Sequence, residues 1–335
     1  MDARGLLQPT RPQVLRLATT ALVLNIALVG TGAAVRVTGS GLGCPTWPRC
    51  TSDSVVNTAA LGVHGVIEFG NRGLAVLLEA VGVLLLLAVR RLPDVPRSWK
   101  RLAAVQVLVV PLQAVVGGVL VLTHLNPWVL IAHFLASFPL TYAAAALVRR
   151  LRDGSREPRL PLVRSELRLL TAGLVTSATS VLVLGSLVTG TGPHAGSVKV
   201  VRLPFDPRSV TQLHTDAVFL LVGLTLATAV AARALQAPRA VVLGTTVLVG
   251  LEIAQAVLGY TQYFTGTPAA LAALHALAAA VIFAVAAWTH LSTSGAGLPA
   301  TTTGRELGGL KRPDGNPADD RFSEALRPVG VAKEQ

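Results

Sequence analysis

Eight long apolar segments alternate with short polar stretches along the chain. Each is long enough to cross about 30 Å of hydrocarbon at about 1.5 Å per helical residue. The first has a basic start and no small-residue cleavage site after it, which is typical of a retained span rather than a signal peptide. The pattern therefore predicts an all-α integral membrane protein with eight transmembrane helices. The segments cover residues 14–35, 61–89, 102–123, 127–148, 168–189, 210–232, 239–260 and 268–290.

The two halves of the chain resemble each other. Residues 112–117 (LQAVVG) recur as residues 254–259 (AQAVLG), and a histidine follows the glutamine of each block at the same spacing. Residues 37–41 (VTGSG) recur as residues 188–192 (VTGTG). Because each half has four spans, the two repeats have the same orientation, and a pseudo-two-fold axis along the membrane normal should relate them.

This organisation predicts four regions in the chain. The polar, aperiodic end is typical of disorder, and the charged stretch between the halves is typical of a linker. The predicted regions are an N-terminal four-helix half (1–148), a cytoplasmic linker (149–167), a C-terminal four-helix half (168–291) and a disordered cytoplasmic tail (292–335).

Composition and charge agree with a membrane protein. Charged residues make up 14% of the chain, against about 25% in soluble domains. The net charge of +12 would suit nucleic acid, but most lysines and arginines lie on one side of the predicted spans. That side is cytoplasmic by the positive-inside rule, so both termini are predicted in the cytoplasm of a multi-pass cell-membrane protein. The basic rim is predicted to meet anionic lipid and not nucleic acid.

Histidines supply the candidate chemistry. An ionisable group inside a span is a functional candidate by default, and four histidines begin the even-numbered spans at the predicted outer side: His64, His133, His214 and His275. Imidazoles from neighbouring helices, with few carboxylates and no cysteine in the spans, favour haem iron over zinc or a di-iron site. The last three of them are predicted iron ligands. Surface or interfacial roles are predicted for the other histidines: His124, His194 and His290.

Glu68 lies about two turns inside the second span. It shares a helix face with His64 and Asn71, because the three are spaced i, i+4 and i+7. Two interpretations stay open. Glu68 forms a structural ion pair with Arg72 at i+4, or it is a carboxylate beside the cofactor that moves protons.

Both cysteines of the chain, Cys44 and Cys50, fall in the first predicted outer loop. Two cysteines exclude a disulfide-rich scaffold and a four-cysteine metal site. Their separation and the oxidising side of the membrane predict a disulfide. Its role stays open between a loop staple and a redox-active pair or haem-edge clamp. The C-x-x-C-H motif of covalent haem attachment is absent from the sequence.

These motifs resemble those of a known family. Residues 32–50 (GAAVRVTGSGLGCPTWPRC) look like the first outer loop of haem A synthases, as do residues 67–72 (IEFGNR) and the two glutamine-to-histidine blocks. The resemblance, to the actinobacterial type, covers about residues 20–290. It implies an eight-span oxidoreductase that converts the C8 methyl group of haem O to a formyl group, giving haem A for terminal oxidases. The expected partners are the bilayer, a haem O synthase and an electron donor.

The resemblance also implies a division of labour between the halves. The C-terminal half is expected to hold a haem b cofactor between His214 and His275, and the N-terminal half the haem O substrate. The carboxylate that matches Glu68 is expected to be needed for the oxidation. Two arginines are expected to pair with haem propionates: Arg36 and Arg72.

The chain departs from the family pattern at Asn71, where a Glu-x-x-His-Arg motif usually has its histidine. An amide is a poor iron ligand. The N-terminal haem is therefore expected to be held by His133 alone, or by His133 with His64. His64 lies about 10.5 Å along the helix from Asn71, so it does not simply take the same place.

Two other functions stay open. A di-haem b-type electron-transfer protein would use the same histidines without any reaction on the porphyrin, although Glu68 and the cysteine loop favour an enzyme. A transporter would have helices broken near the midplane with polar residues there. The polar residues of this chain cluster near the predicted outer surface instead.

Overall fold

A computed structural model describes residues 9–154, 159–194, 196 and 200–296 of the chain. All eight of its long helices are apolar enough to cross a membrane, which confirms the predicted multi-pass architecture. The helices are α1 (Arg11–Val37), α2 (Gly62–Arg91), α3 (Arg97–Leu122), α4 (Pro127–Asp153), α5 (Ser165–Thr191), α6 (Pro207–Ala234), α7 (Arg239–Phe264) and α8 (Ala269–Leu291).

Helix ends follow ordinary capping chemistry. The side chain of Asn126 accepts hydrogen bonds from the backbone N–H groups of Trp128 and Val129 at the start of α4. Asp206 does the same for Ser209 at the start of α6, and the Ser209 hydroxyl and amide hold the pKa of Asp206 below its ordinary value. Each cap is followed by a proline at the first helical position, where its missing N–H costs nothing.

Each half of the chain forms a closed ring of four helices. The packed neighbours are α1–α2, α2–α3, α3–α4 and α4–α1 in the N-terminal half, and α5–α6, α6–α7, α7–α8 and α8–α5 in the C-terminal half. Helices α2 and α4 are therefore diagonal, as are α6 and α8. This equivalence is consistent with the predicted two-fold repeat.

The two rings meet along α1, α4, α5 and α8. Phe138 of α4 lies at the centre of this contact. Its ring packs edge-on against Phe134 and against Phe283 of α8, with ring centroids 5.1 Å apart in both pairs. Edge-to-face contacts of this kind stabilise apolar cores beyond their buried area.

A small ribbon joins the predicted linker to the predicted tail. Strand β1 (Arg159–Pro161) pairs antiparallel with β2 (Ser294–Ala296). The prediction of disorder from residue 292 was therefore wrong for β2, because a strand of three residues is too short to show a period-two pattern. The rest of that predicted tail, 297–335, and residues 155–158 of the linker lie outside the described residues.

Candidate functional site

His214 and His275 face each other across the diagonal of the C-terminal ring. Their ring centroids are 6.5 Å apart and the ring planes differ by 59°. Backbone contacts fix both residues. Nδ1 of His214 lies 3.1 Å from the carbonyl oxygen of Val181, and Nε2 of Gln255 donates to the carbonyl oxygen of His275 at 2.9 Å. The structure therefore brings together two predicted ligands that are far apart in sequence.

Glycines let these imidazoles lie against neighbouring helices. A Cβ atom on Gly185 would come 3.1 Å from Cε1 of His214, and one on Gly259 would come 3.2 Å from Cε1 of His275. Both distances are tighter than ordinary van der Waals contact. Even an alanine at either glycine would require the imidazole to shift by a few tenths of an ångström.

The distance between the His214 and His275 imidazoles suits a single metal atom bound between them. A metal–imidazole bond of about 2.0–2.1 Å and a ring centre about 1.1 Å behind the nitrogen put two ligating rings about 6.2 Å apart. The Val181 carbonyl lies beside Nδ1 of His214, and metal-binding histidines are commonly oriented by such a hydrogen bond from the ring nitrogen that does not bind the metal. Nδ1 of His275 is buried without a hydrogen-bond partner in the described part of the chain.

Within the described ranges, no three His, Cys, Asp or Glu residues gather to hold a bare metal ion. Two opposed imidazoles with apolar surroundings suit an iron that brings its own equatorial ligands, as a haem does. The donor set therefore fits haem better than zinc.

The N-terminal half repeats one side of this arrangement. Nε2 of Gln113 donates to the carbonyl oxygen of His133 at 2.9 Å, as Gln255 does to His275. Nδ1 of His133 is buried and has no hydrogen-bond partner among the described residues. A Cβ atom on Gly117 would lie 3.4 Å from Cε1 of His133. His133 thus has the same setting as its counterpart on α8.

Helix α2, diagonal to His133, presents different residues. Asn71 accepts a hydrogen bond at 2.6 Å from the Thr31 hydroxyl of α1. His64 lies in the first turn of α2, is exposed, and its Nδ1 lies 2.9 Å from Oγ of Ser40 in the first loop. The structure therefore brings His64 to that loop, and its role as an iron ligand stays a prediction.

Glu68 is buried with 5% of its surface exposed. One carboxylate oxygen accepts from the Arg72 guanidinium at 2.5 Å, and the other accepts from the backbone N–H of Cys44 at 2.7 Å. Arg72 also donates to the carbonyl oxygens of Cys44 and Thr46, both at 3.2 Å. The structure contains the Glu68–Arg72 ion pair, one of the two interpretations left open, and a proton-transfer role for Glu68 stays a prediction. The pair also anchors the cysteine loop, which the sequence did not indicate.

The predicted disulfide between Cys44 and Cys50 is confirmed. The two residues are bonded, with Cα atoms 4.4 Å apart, and both are fully buried. Within the same loop, Trp47 lies directly against Gly118 of α3. The loop therefore covers the end of the N-terminal ring where Glu68 and His64 lie.

Arg36 joins the loops of the two halves. Its Nε donates to the carbonyl oxygen of His194 at 2.6 Å and its Nη2 to that of Thr189 at 2.8 Å. His194 in turn contacts the carbonyl oxygen of Thr267 at 2.6 Å. Both predicted propionate partners, Arg36 and Arg72, are thus held by protein oxygens, and their pairing with propionates stays a prediction.

We expect the disulfide to be complete in protein isolated without reductant, because both sulfurs are bonded and shielded from solvent. Thiol alkylation before and after reduction, read by mass spectrometry, should label Cys44 and Cys50 only after reduction. Cys44→Ser is the control, since it leaves a single cysteine that alkylates without reduction. Two labelled cysteines in unreduced wild-type protein would contradict the assignment.

Some residues of the site were not among the sequence predictions. Thr31 and Ser40 contact Asn71 and His64. Glycines lie against the imidazoles of His133, His214 and His275. The sequence could have indicated two of these glycines, because Gly117 and Gly259 precede His133 and His275 at the same spacing. It gave no signal of the hydroxyl contacts.

Fold and site together define a polytopic membrane protein built from two four-helix rings, with a facing histidine pair in the C-terminal ring and a single equivalent histidine, His133, in the N-terminal ring. The COX15-CtaA family model, described as cytochrome oxidase assembly protein, matches residues 15–198. The chain belongs to this family. It is 28% identical over 284 residues to heme A synthases of Bacillus mycoides (strain KBAB4) and Bacillus cereus (strain 03BB102). Each alignment covers 79% of this chain and 88% of the relative.

Proposed function

We propose that this protein is a haem A synthase, an oxidoreductase that converts the C8 methyl group of haem O to a formyl group. The haem A it makes would serve terminal oxidases. The observation that carries the proposal is the His214–His275 pair, set 6.5 Å apart in a chain of the COX15-CtaA family. The similarity to heme A synthases over most of both chains supports the same reaction.

In this proposal the C-terminal half holds haem b as a resident cofactor. His214 and His275 would bind its iron. The Val181 carbonyl contacts the His214 imidazole, and Gln255 holds the backbone of His275. When bound, haem b supplies one-electron redox chemistry that no side chain offers. Gly185 and Gly259 let the two imidazoles lie close against the neighbouring helices, and the iron would bind between the imidazoles.

The N-terminal half would hold the haem O substrate through His133. A substrate must enter and leave, so one iron-binding imidazole in this half and two in the other would suit a substrate site beside a cofactor site. This asymmetry favours the enzyme over the alternative of a di-haem electron-transfer protein, which has no need to release either haem.

Glu68 would move protons during the oxidation. It is the buried carboxylate nearest the outer end of α2, one helical turn from Asn71. Arg72 and the Cys44 N–H hold it in one orientation, as a general acid or base must be held to act. The disulfide loop above it would shield the reacting edge from water.

We also propose a cell-membrane location with both termini in the cytoplasm, since most basic residues lie on that side of the eight spans. A haem O synthase and an electron donor are the proposed protein partners. The synthase would deliver haem O, and the donor would deliver electrons, to the end of the helix bundle where the histidines lie.

The reaction can be tested by co-expressing the chain with a haem O synthase in a host that makes no haem A. Extracted haems should then include haem A when separated by chromatography. Cells with the haem O synthase alone provide the control and should contain haem O only. Haem O without haem A in cells that hold the inserted protein would contradict the proposal.

A further inference from the structure

The two halves differ at one position of the site, and the internal repeat locates it. His214 lies against α5, with Nδ1 beside the Val181 carbonyl and Cε1 beside Gly185. Aligning VTGSG with VTGTG places Val181 and Gly185 opposite residues 30 and 34 of α1. Asn71 contacts α1 within that stretch, at Thr31. Asn71 therefore occupies in the N-terminal ring the place that His214 occupies in the C-terminal ring.

The residue across the diagonal is the same in both rings. The backbone carbonyl oxygens of His133 and His275 each accept a hydrogen bond of 2.9 Å from a glutamine Nε2. Each histidine also has a glycine beside Cε1. The N-terminal ring thus pairs an imidazole with an amide where the other ring pairs two imidazoles.

His64 lies away from the position that Asn71 occupies. Its side chain is exposed and within hydrogen-bond distance of the Ser40 hydroxyl. Along α2, His64 lies about 10.5 Å from Asn71. Open space adjoins the glycines next to Thr31 and Asn71 in the sequence. A Cβ atom on Gly32 or Gly70, the sequence neighbours of Thr31 and Asn71, would meet no heavy atom within 4 Å.

We propose that the N-terminal site binds its haem iron through His133 alone and leaves the opposite axial position open to a diatomic ligand beside Asn71. This rests on the proposed function only in that haem O occupies the N-terminal half. The Asn71 carbonyl oxygen is taken by Thr31, so its Nδ2 protons are left to donate. Hydrogen-bond donors on the open side of a haem decide which diatomic molecules it binds and holds.

Carbon monoxide is the probe. Protein purified in detergent after co-expression with a haem O synthase is reduced and exposed to the gas. The haem between His214 and His275 has no open position and should not react. The haem on His133 should react, so about half of the total haem should give a carbon monoxide difference spectrum. His133→Ala should abolish this spectrum and leave the low-spin haem unchanged.

Two substitutions at Asn71 test the open position and the donor separately. Asn71→His restores the imidazole found in the other ring, and should abolish carbon monoxide binding at unchanged haem content. Asn71→Leu should keep binding but raise the C–O stretching frequency, because no N–H then polarises the bound molecule. Thr31→Val frees the amide to turn and should broaden the same band.

Three outcomes would overturn the inference. Wild-type protein with two haems and no carbon monoxide spectrum is one, and recovery of binding in His64→Ala would then identify His64 as the second ligand. A wild-type protein that keeps one haem and binds no gas is another. A C–O frequency unchanged in Asn71→Leu would remove the amide from the site.

Haem A formation is measured separately in the same cells. Carbon monoxide binding without haem A would leave this inference intact and count against the proposed function. Haem A formation by a wild-type protein that binds no carbon monoxide would overturn this inference and support the proposed function.

Discussion

His275→Ala is expected to eliminate the low-spin b-type haem from the purified protein. The substitution removes one of two imidazoles that face each other at 6.5 Å, and His214 alone cannot give six-coordinate iron. Loss of partners outside the first coordination shell already costs about 10- to 100-fold in metal affinity. Loss of a ligand should cost more, so the reduced spectrum should lack the bis-imidazole bands altogether.

The measurement is haem content per protein with a reduced-minus-oxidised spectrum, at membrane levels checked by immunoblotting. His133→Ala is the matched control. It removes the equivalent imidazole of the other half, held by the same glutamine contact, and should leave the low-spin bands in place. His124→Ala, in a loop outside both rings, should change nothing. An unaltered spectrum in His275→Ala would refute the cofactor assignment.

Glu68→Gln is expected to stop haem A formation while both haems still bind. A glutamine is nearly isosteric but cannot take up and release a proton near neutral pH. Removing a positioned general acid or base typically slows a reaction about 10²- to 10⁴-fold. Haem O, or a partly oxidised hydroxymethyl form, should then accumulate.

A structural effect must be separated from a catalytic one, since Glu68 holds both Arg72 and the Cys44 N–H. A glutamine carbonyl keeps one of these contacts and loses the other, which costs about 1–3 kcal/mol. That loss would lower protein level and haem A together. The haem O to haem A ratio at equal protein level removes this contribution.

The matched control for this experiment is Glu79→Gln. Glu79 lies on the same helix, about 16.5 Å further along it, and is also partly buried. None of the hydrogen bonds among the described residues joins Glu79 to the cysteine loop. The variant should form haem A at the wild-type ratio. Undiminished haem A in Glu68→Gln would remove Glu68 from the mechanism.

Much of this protein was determined by its sequence alone. In a bilayer every backbone polar group must be satisfied within the helix, so length and apolarity suffice to predict a spanning helix. The eight spans were predicted to within a few residues at most ends, apart from amphipathic extensions such as the start of α3 at Arg97. The repeated glutamine-to-histidine spacing likewise predicted that His133 and His275 are equivalent.

The sequence also indicated the disulfide and the ion pair, because each joins residues that are close in the chain. Cys44 and Cys50 are six positions apart, and Glu68 and Arg72 are spaced i, i+4 on one helix. Local spacing of this kind limits the geometry before any tertiary contact forms.

The tertiary structure alone decided which groups face each other across a ring. His64 and Asn71 share one face of α2 but lie about 10.5 Å apart along it. Which of them lies opposite His133 therefore depends on how α2 and α4 are aligned along their axes, and that alignment is fixed by tertiary packing. The anchoring of Glu68 by the Cys44 N–H was equally hidden, because every non-proline residue carries the same backbone donor. Composition and periodicity report which face of a helix avoids lipid, but not which side chain on another helix that face will meet.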